Sequence, residues 1–87
     1  MEVYRVDPAG LQDIIVFART YDHAAEIFVT HYMAVRDSAP GKFGISRWVP
    51  PSEEERRLID ELLRLRVAGV GRCNEDGAWT IVPPDAG

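Results

Sequence analysis

The spacing of apolar residues changes several times along this chain, and each change marks an element. Glu2-Val3-Tyr4-Arg5-Val6 has strand propensity and predicts the first strand. Asp7-Pro8-Ala9-Gly10 then fits a type I turn, with Asp first, Pro second and Gly fourth. The next run, Ile14-Ile15-Val16-Phe17-Ala18, is apolar at every position, so the strand it forms is greasy on both faces. A strand in a one-layer sheet needs only one such face. The second face asks for a cover, either a further layer of the same chain or another copy of the molecule.

A helical period follows. Thr20 is placed to cap it through its hydroxyl, and Asp22 supports the exposed amides of the first turn. Tyr21, Ala24, Ala25, Phe28, Tyr32 and Val35 form one apolar stripe. Val29 and Met33 lie off it, about 100–140° round from Phe28 and Tyr32, which widens the apolar arc beyond what a one-sided surface helix requires. Arg36 to Lys42 reads as a loop. Phe43 to Val49 predicts a third strand, with Phe43, Ile45, Arg47 and Val49 on one face and Ser46 and Trp48 on the other.

Pro50-Pro51 stops that strand, and Ser52-Glu53-Glu54-Glu55 is a capping box that opens a second helix. Its stripe is Leu58, Ile59, Leu62 and Leu65, with Leu63 at the margin. Glu53 with Arg57 and Asp60 with Arg64 have the spacing of ion pairs along one helix. Val67 to Pro83 has the form of a hairpin turning at Asn74-Glu75-Asp76-Gly77, where Gly77 supplies a positive φ. Residues 83–87 are expected to fray.

The order β-β-α-β-α-β-β defines an α+β class. A right-handed crossover from the second strand to the third predicts a small mixed sheet with both helices packed on one face. The open face would carry either Ile14, Val16 and Ala18 or Ile15 and Phe17, joined by Trp48 or Trp79.

Composition narrows the function more than it names it. Eighty-seven residues make one domain, 1–87, because a second core would be too small to hold itself together. Apolar content of 46% and charged content of 28% are those of globular chains. Fourteen acids against 10 bases give a net charge of −4, which opposes non-specific binding to phosphate backbones. The single cysteine, Cys73, cannot form an internal disulfide. The first residues lack the apolar stretch of a signal peptide, and no apolar run approaches the roughly 18 residues of a membrane span. The expectation is a cytoplasmic chain that meets no membrane.

Chemical motifs are scarce. His23 and His31 stand two helical turns apart, about 12 Å along the axis. Zinc-binding pairs on a helix sit at i,i+4, where this chain has Ile27. Cys73 has only Arg72 nearby to lower its pKa and reads as an inert packing residue. Gly41-Lys42 resembles the end of a phosphate loop, but Arg36 and Phe43 occupy the positions that need Gly and Ser or Thr. Glu53-Glu54-Glu55 is accounted for by the helix dipole. The pattern implies no metal, no cofactor and no enzyme.

Three functions from different classes remain. The first is a non-enzymatic protein–protein interaction module that forms a homodimer through an apolar sheet or helix face, with Ile15, Phe17, Val29, Met33 and Trp48 at the interface. The second is a small ligand binder or enzyme whose site is completed between subunits, using His31, Tyr32, Asp37 and Arg47. The third is a winged-helix-like nucleic-acid-binding regulator built from helix 52–66 and hairpin 67–83. Arg56, Arg57, Arg64, Arg66 and Arg72 would then face phosphates. Five acids on the same helix, and no helix at the short spacing before it, weigh against this last reading.

Overall fold

The computed structural model describes residues 1–84; the last three residues of the expected frayed tail lie outside the described residues. β1 (Glu2–Pro8) and β2 (Ile14–Ala18) form an antiparallel hairpin in which Val3 faces Phe17 and Tyr4 faces Val16. Its turn falls one residue later than the sequence predicts. The Leu11 N–H donates to the Pro8 carbonyl at 3.2 Å, and Gly10 takes φ 75° at the third position. That is the type II arrangement, in which glycine is needed for its positive φ.

Helix α1 (Tyr21–Arg36) starts where Thr20 Oγ1 accepts the His23 N–H at 3.1 Å. It ends at Asp37, left-handed at φ 55°, whose N–H donates to the Met33 carbonyl at 2.9 Å. The buried residues are Ala24, Ile27 and Phe28. The stripe is therefore rotated toward Ile27 and His31 from the one predicted, and Tyr21 and Val35 are half exposed at its two ends.

β3 (Phe43–Arg47) pairs antiparallel with β1, Val6 facing Ile45 and Pro8 facing Phe43. Helix α2 (Glu53–Arg64) follows, capped by Ser52 Oγ accepting the Glu55 N–H at 3.2 Å. β4 (Gly69–Cys73) and β5 (Trp79–Val82) make the closing hairpin, and β4 joins β2. Its turn is where the sequence places it: the Asn74 N–H donates to the Ala78 carbonyl at 2.7 Å and Gly77 has φ 87°.

The α+β class and the element order are as expected, and the strand order is β3-β1-β2-β4-β5. Two details differ. Every neighbouring pair is antiparallel, so the sheet is not mixed. β3 does run parallel in direction to β2, but β1 lies between them and no parallel ladder forms. The helices also occupy opposite faces instead of one. One core joins Tyr4, Val6, Val16, Ala18 and Val70 of the sheet to Ala24, Ile27 and Phe28 of α1. The other joins Val3 and Phe17 to Ile59 of α2, with Ile15, Trp48, Leu62, Leu63, Trp79 and Ile81 around them.

The reason lies in strand alternation. The first face is filled by α1, so a second amphipathic helix can bury its leucines only on the other. Pro50-Pro51 breaks the ladder after the Trp48 N–H has bonded the Val3 carbonyl at 3.1 Å, and the chain then passes to that face. Where α2 does not reach, over β1 and β3, the outward residues are Arg5, Asp7, Gly44 and Ser46, all exposed. The greasy second face of β2 is thus covered from within the chain.

Candidate functional site

The five residues expected at a dimer interface have separate fates. Phe17 is fully buried beneath α2 and offers no surface to a partner. Ile15 and Trp48 are half-buried in the same core, where the Trp48 ring packs on Trp79 with centroids 5.6 Å apart. Val29 packs against the α1 core. Met33, 49% exposed, is the one member of the set that the described structure leaves on the surface.

The four candidate ligand-binding residues do not converge. His31 and Tyr32 line a shallow groove of about 210 Å³ with Leu11, Ile14, Val35 and Arg36, at the end of α1 beside the β1–β2 turn. Arg36 lies over the Tyr32 ring, 5.5 Å from its centroid. Asp37 is occupied in ending the helix. Arg47 sits opposite Tyr4, at the other end of the sheet face, and is ion-paired with Glu2. Within the groove, His31 Nδ1 is buried without a hydrogen-bond partner. Burial, and then the charge of Arg72, lower the His31 pKa below its usual value, so the neutral imidazole is the form that fits here. No group of three or more potential metal ligands occurs among the described residues.

The arginines of the winged-helix reading also part company. Arg72 follows Val70 onto the α1 side of the sheet, by alternation along β4. Arg56 and Arg57 stay on the outer face of α2 among Glu53, Asp60 and Glu61. The expected pairs Glu53–Arg57 and Asp60–Arg64 are not closed within 4 Å; the ion pairs among the described residues are Arg5–Asp13 at 3.8 Å and Arg47–Glu2. Cys73 is exposed, with its thiol donating to the Asn74 carbonyl at 3.6 Å, and not the packing residue expected.

What the sequence did not single out is the flank of α2. A groove of about 340 Å³ runs between the helix and the closing hairpin, lined by Leu58, Leu62, Leu65, Ala78 and Trp79, with Glu61 on its rim. Leu65 is 63% exposed although the helical stripe assigns it to the core. It is the C-cap residue, one position before Arg66 turns left-handed at φ 55°, so the chain leaves the sheet there and the leucine has nothing beneath it. The signal available in the sequence was the width of the stripe: Leu58 and Leu65 stand about 100–120° from Ile59 on one side. No helix of the described residues is long and apolar enough to cross a membrane. The chain matches no known family model, and neither curated proteins nor solved structures include a significant relative.

Proposed function

We propose that this chain is a small, non-enzymatic, cytoplasmic interaction module that self-associates as a two-fold dimer through the flank of α2. The observation that carries the reading is the leucine groove, in which an apolar helix edge and the half-buried Trp79 lie side by side with Leu65 projecting from them. The sheet is no longer a candidate surface, since both of its apolar faces are occupied by the chain's own helices.

Charge complementarity favours a second copy as the occupant. Arg57 and Glu61 lie four residues apart on the outer side of the same edge. If two α2 helices cross antiparallel about a point near the middle of each, Arg57 meets the partner's Glu61 and Glu61 meets the partner's Arg57. Leu58 and Leu62 then interdigitate at the centre of the seam, and Leu65 lies at its end, level with the partner's Glu53. A two-fold axis needs one such self-complementary edge and no other.

The test is the solution mass of the full chain by light scattering or sedimentation. The wild type is expected near twice the chain mass of 9.8 kDa. Leu65→Glu should return it to the monomer, as should Arg57→Glu, and the exchange Arg57→Glu with Glu61→Arg should restore the dimer. A wild type that stays at 9.8 kDa up to millimolar concentration, or a dimer indifferent to Leu65→Glu, refutes the proposal.

A further inference from the structure

Three arginines from two parts of the chain gather in one place. Arg19, just after β2, Arg64, the last residue of α2, and Arg66, just beyond it, line one concavity of about 680 Å³, with Leu63 and Met1 as its other walls. It lies on the opposite flank of α2 from the leucine groove. No carboxylate lines it, and among the described residues none comes within 4 Å of these three guanidinium groups. Elsewhere Arg5 and Arg47 are ion-paired, and Arg56 and Arg57 are interspersed with acids on the outer face of α2, which Arg64 also borders from its other side.

A helix C-terminus accounts for part of this, since cations complement the exposed carbonyls of its last turn. It does not account for Arg19, which arrives from another element. Nor does it account for three like charges around one concavity whose own lining holds no carboxylate. A second observation concerns the backbone. Arg66 is left-handed at φ 55°, the position after a helix where Gly or Asn is usual. That conformation disfavours a long side chain.

We propose that this concavity binds a compact phosphoryl dianion, of the kind carried by a phosphate monoester or by pyrophosphate. A guanidinium presents its donors in a fixed fork that suits paired oxygens. A carboxylate, with two oxygens and one charge, satisfies one such fork. A terminal phosphoryl group, with three oxygens and nearly two charges, can engage several. An extended polyanion fits the surroundings less well, because Glu53, Asp60 and Glu61 lie along the adjoining face of α2 and the whole chain carries −4.

The experiment is an amide NMR titration of the full chain at fixed ionic strength with inorganic phosphate, pyrophosphate and a nucleoside monophosphate, against acetate and chloride. Saturable shifts centred on Arg19 and on Leu63 to Arg66 are expected, with phosphoryl ligands at least tenfold tighter than acetate. Arg66→Gly removes the guanidinium while supplying the residue that suits the left-handed backbone. Its melting temperature should therefore rise while its phosphate affinity falls at least tenfold. Arg19→Gln should weaken binding likewise without touching α2. Wild-type affinity in both variants, or equal binding of acetate and phosphate, overturns the proposal. Tighter binding of a short duplex than of pyrophosphate at these same residues overturns it too.

Discussion

Gly71 is the place to test whether the second sheet face is a true interior. It lies on β4 opposite Ile15, beneath α2. A Cβ added there would stand 2.8 Å from Phe17 Cε1, 3.3 Å from Ile15 Cγ2 and 3.4 Å from Trp79 Cζ3. The first of these distances is far inside van der Waals contact, and Phe17 has no exposed surface through which to retreat. Overpacking of this kind costs about 1–3 kcal/mol. Replacing glycine by alanine returns about 0.4–1 kcal/mol through the unfolded chain. The net expectation for Gly71→Ala is a loss of about 1–2 kcal/mol. At about 4–8 °C per kcal/mol for a chain of this size, the melting temperature should drop by roughly 5–15 °C. Gly44 on β3 is the control, since a Cβ there meets nothing within 4 Å. Gly44→Ala should leave stability unchanged or slightly raise it. Adding Phe17→Leu to Gly71→Ala gives the methyl room, so the double variant should lose less than the sum of the two single losses in a urea-unfolding cycle. Equal stability for Gly71→Ala and Gly44→Ala would mean that Phe17, Ile15 and Trp79 are not packed tightly over Gly71, and the close packing of this face would fall.

The other predictions concern local features. Thr20→Ala and Ser52→Ala each remove the oxygen that accepts a first-turn amide, from His23 and Glu55 respectively, and each should cost about 1 kcal/mol by denaturant unfolding. Substitution by Gly at either cap should be milder. The pH dependence follows from His31. Its folded-state pKa is lowered, so between that value and the unfolded value near 6.5 the unfolded chain binds more protons. The stability contributed by the neutral ring is complete above about pH 6.5 and is lost as pH falls through the folded pKa. Unfolding midpoints measured from pH 7.5 to 5 should decline in the wild type and decline less in His31→Gln. An identical slope in the two proteins would assign the pH response to other groups.

The sequence made the elements legible because each has its own punctuation. Thr20 and Ser52 mark helix starts, Pro50-Pro51 marks a strand end, and Gly77 marks a hairpin. The apolar character of both faces of β2 also identified the central strand and its need for two covers. The identity of the second cover was not legible, because it depends on which side α2 takes, and that is settled by α1 already occupying the other side. The same contingency moved β3. A crossover rule fixes the direction of a strand but not which free edge it joins, and β1 offered an edge as good as that of β2. Of the candidate interface residues, Phe17 and Ile15 lie on the face that α2 covers, for the same reason. Leu65 and Arg66 were harder to place, since their setting depends on where the helix leaves the sheet, and neither Gly nor Asn announces that point.

The division of the cores also orders the chain in time. Everything that surrounds Ala24, Ile27 and Phe28, apart from Val70 and Ala68, is encoded before α2 begins, so the first core can assemble from the earlier part of the chain as it is made. The second cannot. Until α2, β4 and β5 arrive, β2 is an edge strand with an unpaired ladder and with Ile15 and Phe17 bare beside it. A nascent or truncated chain that stops before Ser52 therefore displays a short apolar β-template, the kind of surface on which strands add to strands. The segment from Ser52 onward completes the fold and, in doing so, ends the period in which the chain is most exposed to aggregation and to chaperone capture.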